Sequence, residues 1–288
     1  MQNLQWYPGH MAKTRRMIEE NLKNIDVVVE ILDARIPFSG RNPNFDDIIG
    51  KKPRLVVMNK YDLADKAVTD KWVKWYNDQG IKVLPISCST GMGINRIAPS
   101  AKDLVKEKLD KAKEKGMNIN VKIMMVGIPN VGKSTLINKL CGKSKAKTGD
   151  RPGVTREKQW IRLLDGLELL DTPGILPPKF EDQRVAVNLA YTGAIRDEIM
   201  EIELLCHSLL GYMRDNYKEE LMARYKLDNI DGLEGYEILE KIGRKRGCVI
   251  SGGEIDTERA ANILIDELRG CKICPVTLEK PEDFDEKE

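Results

Sequence analysis

Long apolar runs are missing from this chain, and their absence excludes several classes of protein. No stretch approaches the roughly 18 consecutive apolar residues of a membrane-spanning helix. The N-terminal sequence, MQNLQWYPGHMAKTRR, also lacks the apolar core of a secretory signal peptide. We therefore expect a cytosolic protein that does not enter a membrane.

Cysteine is sparse and scattered, which argues against a disulfide framework. The six cysteines stand at positions 88, 141, 206, 248, 271 and 274, mostly inside apolar or helical segments. Reduced thiols are expected for such a pattern. Cys271 and Cys274 form a single CxxC without a second pair or a nearby histidine, which favours a structural role over a metal site.

An excess of charge is also absent, since the net charge is only +2 over 288 residues. The distribution is more informative than the sum. Basic residues are concentrated between Lys139 and Arg162 and in the segment KIGRKRG, which holds Lys241, Arg244, Lys245 and Arg246. Such patches attract phosphate backbones, although a charge run more often forms a solvated face. The acidic C-terminal residues 279–288 are expected to be frayed.

Short buried strands alternate with helices in the first part of the chain. Strand patterns lie at 26–31, 55–58, 83–86 and 121–126, and a hairpin pattern joins 159–164 to 167–170 through Asp165-Gly166. Helical patterns lie at 69–80 and 94–115. This alternation predicts a mostly parallel sheet with helices on both faces.

After Pro177-Pro178 the apolar periodicity is helical throughout. Helical patterns lie at 185–200, 202–225, 236–242 and 257–268. The sequence therefore predicts an α/β domain over 1–176 and a small all-α domain over 177–288.

The segment Gly127–Ser134, GIPNVGKS, fits the phosphate-binding pattern GxxxxGK[ST] and lies between a strand and a helix. The backbone N–H groups of such a loop wrap phosphates, Lys133 reaches their outer oxygens, and Ser134 holds Mg²⁺. A chance glycine turn is the alternative, which the flanking strand and helix disfavour. The predicted nucleotide contacts of this loop are Asn130, Val131, Gly132, Lys133, Ser134 and Thr135.

Two further motifs follow the phosphate loop at the spacing of GTPase switches. Asp171 and Gly174 belong to the stretch DTPG after the predicted hairpin, where Asp171 would hold the metal through water and the Gly174 N–H would sense a γ-phosphate. Thr155, in TGDRPGVTRE, is the candidate threonine that closes over Mg²⁺. Each motif is weak alone, but they support each other at this spacing.

The tetrad Asn59-Lys60-Tyr61-Asp62 follows the strand pattern at 55–58 and matches a guanine-reading motif. Asp62 would accept hydrogen bonds from the N1–H and N2–H₂ edge of guanine, which adenine lacks. Asn59 would bond the purine, and the stem of Lys60 would cover its ring. The stretch ISCSTG after the next strand would back the base, with Ser87 and Cys88 as its candidate residues.

The order of these motifs is unusual, because the base-reading segments precede the phosphate loop. A parallel sheet requires only that its strands lie side by side, and chain termini often lie close enough to be relinked. The predicted fold class is therefore a circularly permuted P-loop GTPase domain, with a mostly parallel sheet between helices, plus a small all-α C-terminal domain.

These motifs together resemble the circularly permuted GTPases of the YlqF/RbgA subfamily, the ribosome-biogenesis GTPases A. The resemblance extends over nearly the whole chain, through WYPGHMAK, DARIPFSGRNP, NKYDLAD, GIPNVGKSTLINKL, KTGDRPGVT, LLDTPGILPPKFED and KRGCVISGG. It implies a ribosome-associated GTPase that acts late in large-subunit assembly and has a small helical C-terminal domain that contacts RNA. The implied partner is the large ribosomal subunit, both its rRNA and its ribosomal proteins. We expect a monomer. Cys88 departs from the pattern, since many GTPases have alanine there.

Two residues carry mechanistic roles that the resemblance implies. Ile175 stands where small GTPases commonly place a water-positioning glutamine, so something else must orient the attacking water. By resemblance the candidate is His10, whose alternative is a structural role near the terminus. By resemblance to potassium-stimulated GTPases Asn130 binds K⁺, and the alternative is that it only stabilises its turn. Lys133 is the other candidate catalytic residue.

Three functions compete at this point. The first is a GTP hydrolase that binds the large ribosomal subunit in a nucleotide-dependent way and is released after hydrolysis. The second is a GTP-regulated switch whose helical domain binds a protein partner and not rRNA. The third, an ATP-using P-loop kinase, is disfavoured by Asn59 and Asp62.

Overall fold

The computed structural model describes residues 16–141, 160–170, 182–195 and 201–284. These residues form two compact units. The first contains the described residues up to Leu170 together with 279–284, and the second contains those between Asp182 and Leu278. The sequence-based division had placed everything from 177 to 288 in the helical domain, whereas the structure returns the last described residues to the first unit.

The first unit is built on a six-stranded sheet. Its strands are β1 (Val27–Asp33), β2 (Arg54–Asn59), β3 (Lys82–Pro85), β4 (Val121–Gly127), β5 (Trp160–Arg162) and β6 (Leu167–Leu170). Their spatial order is β3-β2-β1-β4-β6-β5, and every pair is parallel except β5 with β6. The predicted mostly parallel sheet is confirmed, and burial on both faces explains why its strands read as continuous apolar runs.

Six described α-helices belong to this unit: residues 16–22 (α1), α2 (Asn44–Ile49), α3 (Lys66–Asp78), α4 (Ile97–Asp103), α5 (Lys106–Glu114) and α6 (Lys133–Leu140). The single helix predicted over 94–115 is wrong. A 3₁₀ turn occupies Ile94–Arg96, and Val105 separates α4 from α5. The backbone of Val105 lies at φ −125° and ψ 25°, outside the helical region, although the apolar periodicity continues across it.

One face of the sheet carries two apolar clusters. Alternate residues of a strand face the same side, so Val28, Glu30 and Leu32 of β1 share this face. The first cluster joins α1 and α2 to the sheet around Val28 and Met124, and the second packs Trp72 of α3 against Leu32. Both clusters are almost fully buried. They hold α1, α2 and α3 against the sheet, and the loops at the carboxyl ends of its strands form the site described below.

A buried ion pair lies on the same face of the sheet, at Glu30 of β1, between Val28 of the first cluster and Leu32 of the second. Glu30 has no solvent exposure, and Arg54 Nε donates to its carboxylate at 2.8 Å. Burial alone would lower the pKa of Arg54, but the Glu30 carboxylate overrides that effect and leaves the pKa raised. Arg54 also pairs with Asp46 of α2, which in turn accepts from Arg41 at 3.0 Å. This chain of charges connects α2 to the middle of the sheet.

The hairpin predicted at Asp165-Gly166 is confirmed. Asp165 lies at φ 57° and Gly166 at φ 70°, both in the left-handed region. The Leu163 N–H donates to the Leu167 carbonyl, so the turn spans three residues, 164–166, and not the predicted two. The turn reverses the chain so that β5 pairs antiparallel with β6 at the edge of the sheet.

Residues 279–284 were predicted to be frayed, and that prediction is wrong. Glu279 is only 2% exposed, and its carboxylate accepts from the backbone N–H of Phe38 and from that of Ser39 at 2.9 Å. The Trp72 indole donates to the Glu279 carbonyl at 3.0 Å. Phe284 stacks on Phe38 with ring centroids 3.9 Å apart. The acidic composition of this segment concealed one buried carboxylate and one aromatic contact.

The second unit is helical, as the sequence predicts. Its described helices are α7 (Gln183–Tyr191), α8 (Ile202–Asn216), α9 (Lys218–Tyr225), α10 (Gly235–Arg246) and α11 (Thr257–Arg269). The predicted helix over 202–225 breaks at Tyr217, where φ is −140°. The Tyr217 hydroxyl donates to the carbonyl of Thr277 and accepts from its N–H, a contact that local periodicity does not reveal. The helix predicted over 185–200 ends early, because Gly193 turns at φ 73°.

One residue of the predicted basic patch is used internally. Arg246 donates to Glu267 at 2.7 Å and lies over the Tyr225 ring at 5.1 Å, and Arg224 donates to the same carboxylate. Glu267 is 7% exposed. Arg246 is therefore part of the packing of this unit, whereas Lys241, Arg244 and Lys245 of the same helix are exposed.

Among the described residues, no group of three or more histidine, cysteine, aspartate or glutamate side chains is arranged to hold a metal ion. The thiols of Cys88 and Cys206 are buried, which raises their pKa to about 11 and about 12 respectively.

None of the described helices is long and apolar enough to cross a membrane.

The contrast between two glutamates tests the C-terminal contact. Glu279→Ala removes a buried acceptor from two backbone donors, and we expect the free energy of unfolding of the first unit to fall by about 2–3 kcal/mol. The matched control is Glu282→Ala, whose side chain is 58% exposed in its pair with Lys71, so a change below about 1 kcal/mol is expected.

Urea unfolding followed by tryptophan fluorescence measures this difference, because the sequence from 182 to 278 contains no tryptophan. Equal losses in the two variants would contradict the buried role of Glu279.

Candidate functional site

The functional loops meet at the carboxyl ends of the parallel strands. Strands β1, β2 and β4 end at Asp33, Asn59 and Gly127, and β1 lies between the other two. The segment 86–93 follows β3 at the same edge. Open parallel sheets bind ligands in the crevice beyond these strand ends. The topology therefore brings together the two motifs that the sequence separates by some seventy residues, with β1 between their strands.

The phosphate loop leaves β4 and enters α6 directly. Gly127 pairs with Ile31 of β1, and a Cβ on Gly127 would lie 2.7 Å from the Ile31 carbonyl oxygen, so only glycine fits there. Asn130 and Gly132 adopt left-handed backbone at φ 59° and 97°. Lys133 then begins α6, whose N-terminal N–H groups provide the partial positive charge that anionic phosphates prefer.

The side chain of Asn59, at the end of β2, joins two loops. Its Nδ2–H donates to the carbonyl of Val131 in the phosphate loop at 2.8 Å, and its Oδ1 accepts from the N–H of Cys88 at 2.9 Å. The residue is 2% exposed. The sequence predicted a purine contact for Asn59, and the structure adds a positioning role that the sequence did not indicate. The contribution of Cys88 to this link is its backbone N–H.

The carboxylate of Asp62 is held by a pair of serines. Ser89 Oγ donates to Asp62 Oδ2 at 2.6 Å, and the hydroxyls of Ser87 and Ser89 lie 2.8 Å apart. Burial alone would raise the pKa of Asp62, but the hydrogen bonds from Ser89 and Ser87 lower it below its ordinary value. Asp62 is therefore ionised at neutral pH, the state in which its carboxylate accepts hydrogen bonds. Sequence reasoning named Ser87 and missed Ser89, although a second hydroxyl two residues later was a visible signal.

Lys60 is fixed by a buried carboxylate that the sequence did not assign to the site. Its backbone is left-handed at φ 63°, and its ammonium lies 2.9 Å from Asp33 Oδ2. Arg35 donates to the same carboxylate, at 2.8 Å through Nη2. Burial would raise the pKa of Asp33, but the charges of Arg35 and Lys60 hold it well below its usual range. An aspartate at the end of a buried strand was the sequence signal for this role.

The remaining predicted residues divide into two groups. Lys133 is half-buried, and Ser134 and Thr135 are exposed in the first turn of α6, as a phosphate and metal site requires. His10, Thr155, Asp171 and Gly174 lie outside the described residues. Leu170, which precedes Asp171, pairs with Met124 of β4, so the chain reaches that motif on the strand next to the phosphate loop.

Mg²⁺ is the cation that phosphate loops of the GxxxxGK[ST] pattern use with their nucleotide, and the one proposed ligand that the structure describes, the Ser134 hydroxyl, is compatible with it. The Ser134 hydroxyl is accessible at the start of α6, beside the half-buried Lys133. Hydroxyl and carboxylate oxygens are ligands that Mg²⁺ accepts, together with the phosphate oxygens of a nucleotide. When bound, the ion neutralises charge that develops on the phosphates during transfer.

A phosphate loop after β4, an Asn-Lys-x-Asp tetrad after β2 and a sheet that joins them in permuted order define a circularly permuted P-loop GTPase. The family model described as "50S ribosome-binding GTPase" matches residues 122–230. The Ribosome biogenesis GTPase A of Bacillus cereus is 50% identical over 99% of this chain and 96% of its own length. That of Thermotoga maritima is 34% identical over 98% of this chain and 96% of its own length.

Solved structures agree with these relatives. YlqF with GDP bound is 29% identical and superposes with a TM-score of 0.66, covering 93% of this chain and 100% of that one. GNP-bound YlqF from T. maritima gives 0.64 at the same identity, over 94% and 99% of the two chains. The chain belongs to the ribosome biogenesis GTPase A family, and it hydrolyses GTP.

Gly132 tests the link between the phosphate loop and Asn59. A Cβ at Gly132 would lie 2.3 Å from Asn59 Nδ2, so Gly132→Ala should displace the bridging amide and weaken GDP binding at least about tenfold, a loss of about 1.4 kcal/mol or more. The matched control is Gly80→Ala, because Gly80 has a similar left-handed φ of 73° but no atom within 4 Å of its Cβ position.

Fluorescent GDP titration and thermal unfolding of both variants measure these effects. Left-handed strain of about 1–2 kcal/mol should reduce stability in both, whereas only Gly132→Ala should lose affinity. Unchanged GDP affinity in that variant would show that the Asn59 bridge does not support binding.

Proposed function

We propose that this protein is a GTP-hydrolysing assembly factor for the large ribosomal subunit. It binds the particle in a nucleotide-dependent way, as a monomer, and leaves after hydrolysis. The observation that carries the proposal is the permuted site joined by Asn59, within a chain that aligns over nearly its full length with proteins called Ribosome biogenesis GTPase A. The mouse Mitochondrial ribosome-associated GTPase 1, 38% identical over 73% of this chain and 69% of its own, supports the same direction.

The proposal assigns one group of residues to the guanine base and another to the phosphates and Mg²⁺. Asp62 reads guanine, Lys60 covers its ring, and Ser87 and Cys88 back it, while Asn59 adds a purine contact to its bridging role. Nucleotide phosphates lie on the loop and the first turn of α6. The phosphate contacts are Asn130, Val131, Gly132, Lys133, Ser134 and Thr135. Mg²⁺ is held by Ser134, Thr155 and Asp171, and the N–H of Gly174 reports the γ-phosphate.

Hydrolysis needs a group that orients the attacking water. Ile175 follows the switch glycine and has no polar atom for this purpose, so His10 is proposed for the role, with Lys133 stabilising charge on the phosphate. K⁺ at Asn130 is proposed to supply further positive charge. The left-handed φ of 59° at Asn130 also supports a turn-stabilising role, because asparagine tolerates that backbone better than most residues.

The second unit is proposed to contact rRNA. Lys241, Arg244 and Lys245 are exposed on α10, next to a turn whose Val249 and Ile250 are 49% and 48% exposed. The lysines and arginine favour a phosphate backbone, whereas the two apolar side chains favour the alternative, a GTP-regulated switch that binds a protein partner. A steep loss of particle binding with salt would indicate phosphate contacts, and a shallow one would indicate the protein partner.

GTP turnover with and without purified large subunits, in K⁺ and in Na⁺, tests the proposal. We expect slow hydrolysis by the protein alone, stimulation by the particle, and faster turnover in K⁺. His10→Ala should retain GTP affinity and lose about 10²-fold or more of the stimulated rate, because a water-orienting group acts only in the chemical step. Absence of both binding to the particle and stimulation would contradict the assembly role.

Asp62→Asn tests the assignment of the base. The substitution replaces one acceptor by a donor, so the variant should lose GTP affinity and prefer xanthosine nucleotides, with a change in discrimination on the order of 10⁴-fold. Competition titrations with GTP, XTP and ATP measure it, and Asp65→Asn, at the N-cap of α3, is a control at a nearby aspartate. Full GTP affinity in Asp62→Asn would refute the guanine-reading role.

A further inference from the structure

A basic cavity lies at the opposite end of the sheet from the nucleotide site. It has a volume of about 510 Å³ and is lined by Lys23, Lys52, Lys108 and Lys122, among others. These lysines stand near the amino ends of β1, β2 and β4 or on α5. We call this cavity the lysine basin. The seven-residue strand β1 separates it from the phosphate loop by roughly 20 Å, at about 3.3 Å per residue.

The acidic side chains of the lysine basin are already engaged by its wall. Asp26 accepts from the ammonium of Lys108 at 2.6 Å and from the backbone N–H of Lys122 at 3.0 Å. Glu168 accepts from the side-chain amide of Asn120 at 3.0 Å. Four lysines against these two carboxylates leave a net charge of +2 in the lining. The basin therefore suits an anion.

The lysines retain donors for such a ligand. Lys52 uses one N–H on the carbonyl of Ile25 at 2.7 Å, and an ammonium has three. Lys108 likewise uses one on Asp26, and Lys23 is exposed. Several ammonium groups spread around one open cavity match a ligand with several separated anionic oxygens better than they match a single small anion.

An aromatic ring extends this surface. The ammonium of Lys122 lies 5.4 Å from the ring centroid of Trp160, and Trp160 is 38% exposed on the edge strand β5. Exposed aromatic rings beside basic grooves are the arrangement on which nucleic-acid bases stack while lysines follow the backbone. An acidic protein segment would use the lysines but has no need of this ring.

We propose that the lysine basin binds the phosphate backbone of RNA, as a second contact of the GTPase unit that is independent of the nucleotide site. The proposal rests on the proposed association with a ribosomal particle, where rRNA supplies the ligand. It assigns to the first unit an RNA contact at the strand ends remote from GTP, in addition to the basic face of α10.

The test uses the full chain and a short fluorescein-labelled RNA hairpin. Lys23→Gln/Lys122→Gln removes two basin charges, and Lys66→Gln/Lys74→Gln removes two exposed charges from α3 as the matched control. Fluorescence anisotropy over a series of KCl concentrations gives the slope of log affinity against log salt. We expect the basin variant to bind more weakly and its slope to fall by about 2, since each lost phosphate contact lowers it by about 1. The control slope should stay at the wild-type value.

GTP turnover without particles should be the same in both variants, because neither pair touches the nucleotide site. An unchanged slope in the basin variant would overturn the proposal. Normal RNA binding with weakened binding to poly-glutamate would overturn it in favour of an acidic protein. Wild-type affinity of the basin variant for large subunits would also overturn it and leave the proposed function standing. Failure of the wild-type protein to bind subunits would overturn the proposed function. The salt slope of binding to the RNA hairpin would still test the lysine basin independently.

Discussion

The site depends on a single buried amide. Asn59 stands at the end of β2, and its side chain donates to the phosphate loop and accepts from the loop after β3. Neither loop has a regular hydrogen-bonding ladder of its own at these points, so this amide sets the distance between the phosphate loop and the loop after β3. An apolar residue there would leave a carbonyl and an N–H unsatisfied, each at a penalty of about 1–3 kcal/mol. Gly132 has no side chain for the same reason, since any Cβ would displace the amide.

The circular permutation changes the order of the motifs along the chain, but the tetrad after β2 and the loop after β4 still lie at the same edge of the sheet. Strand β4, which leads into the phosphate loop, and strand β2, which leads into the Asn-Lys-x-Asp tetrad, both pair with β1. Strand β1 ends in Asp33, whose carboxylate forms an ion pair with Lys60 of that tetrad. Along the chain the tetrad comes before the phosphate loop. Strand β1, which lies between β2 and β4, supplies the carboxylate that binds Lys60 of the tetrad. The last described residues return to the same unit, where Glu279 binds the loop that follows Asp33.

Much of this arrangement was predictable because its signals are local. The phosphate loop, the base-reading tetrad and the turn at Asp165-Gly166 are contiguous motifs whose backbone requirements fix their residues. What the sequence could not show depends on contacts between distant residues. Ser89 reaches Asp62 and Glu279 reaches Ser39 only after the sheet has formed. The helix breaks at Val105 and Tyr217 were missed for a related reason, since apolar periodicity continues through both positions while the backbone does not.

Amide hydrogen exchange in the nucleotide-free protein tests the central claim most directly. If Asn59 holds the two loops together, Asn59→Ala should speed exchange of the Cys88 amide, which loses its acceptor, and of the amides of the phosphate loop around Val131. A loss of about 1–3 kcal/mol of local stability corresponds to roughly 5-fold to 150-fold faster exchange. Faster exchange in both loops is the predicted result. Unchanged exchange in either loop would show that it is held by something other than this amide, and would contradict the account.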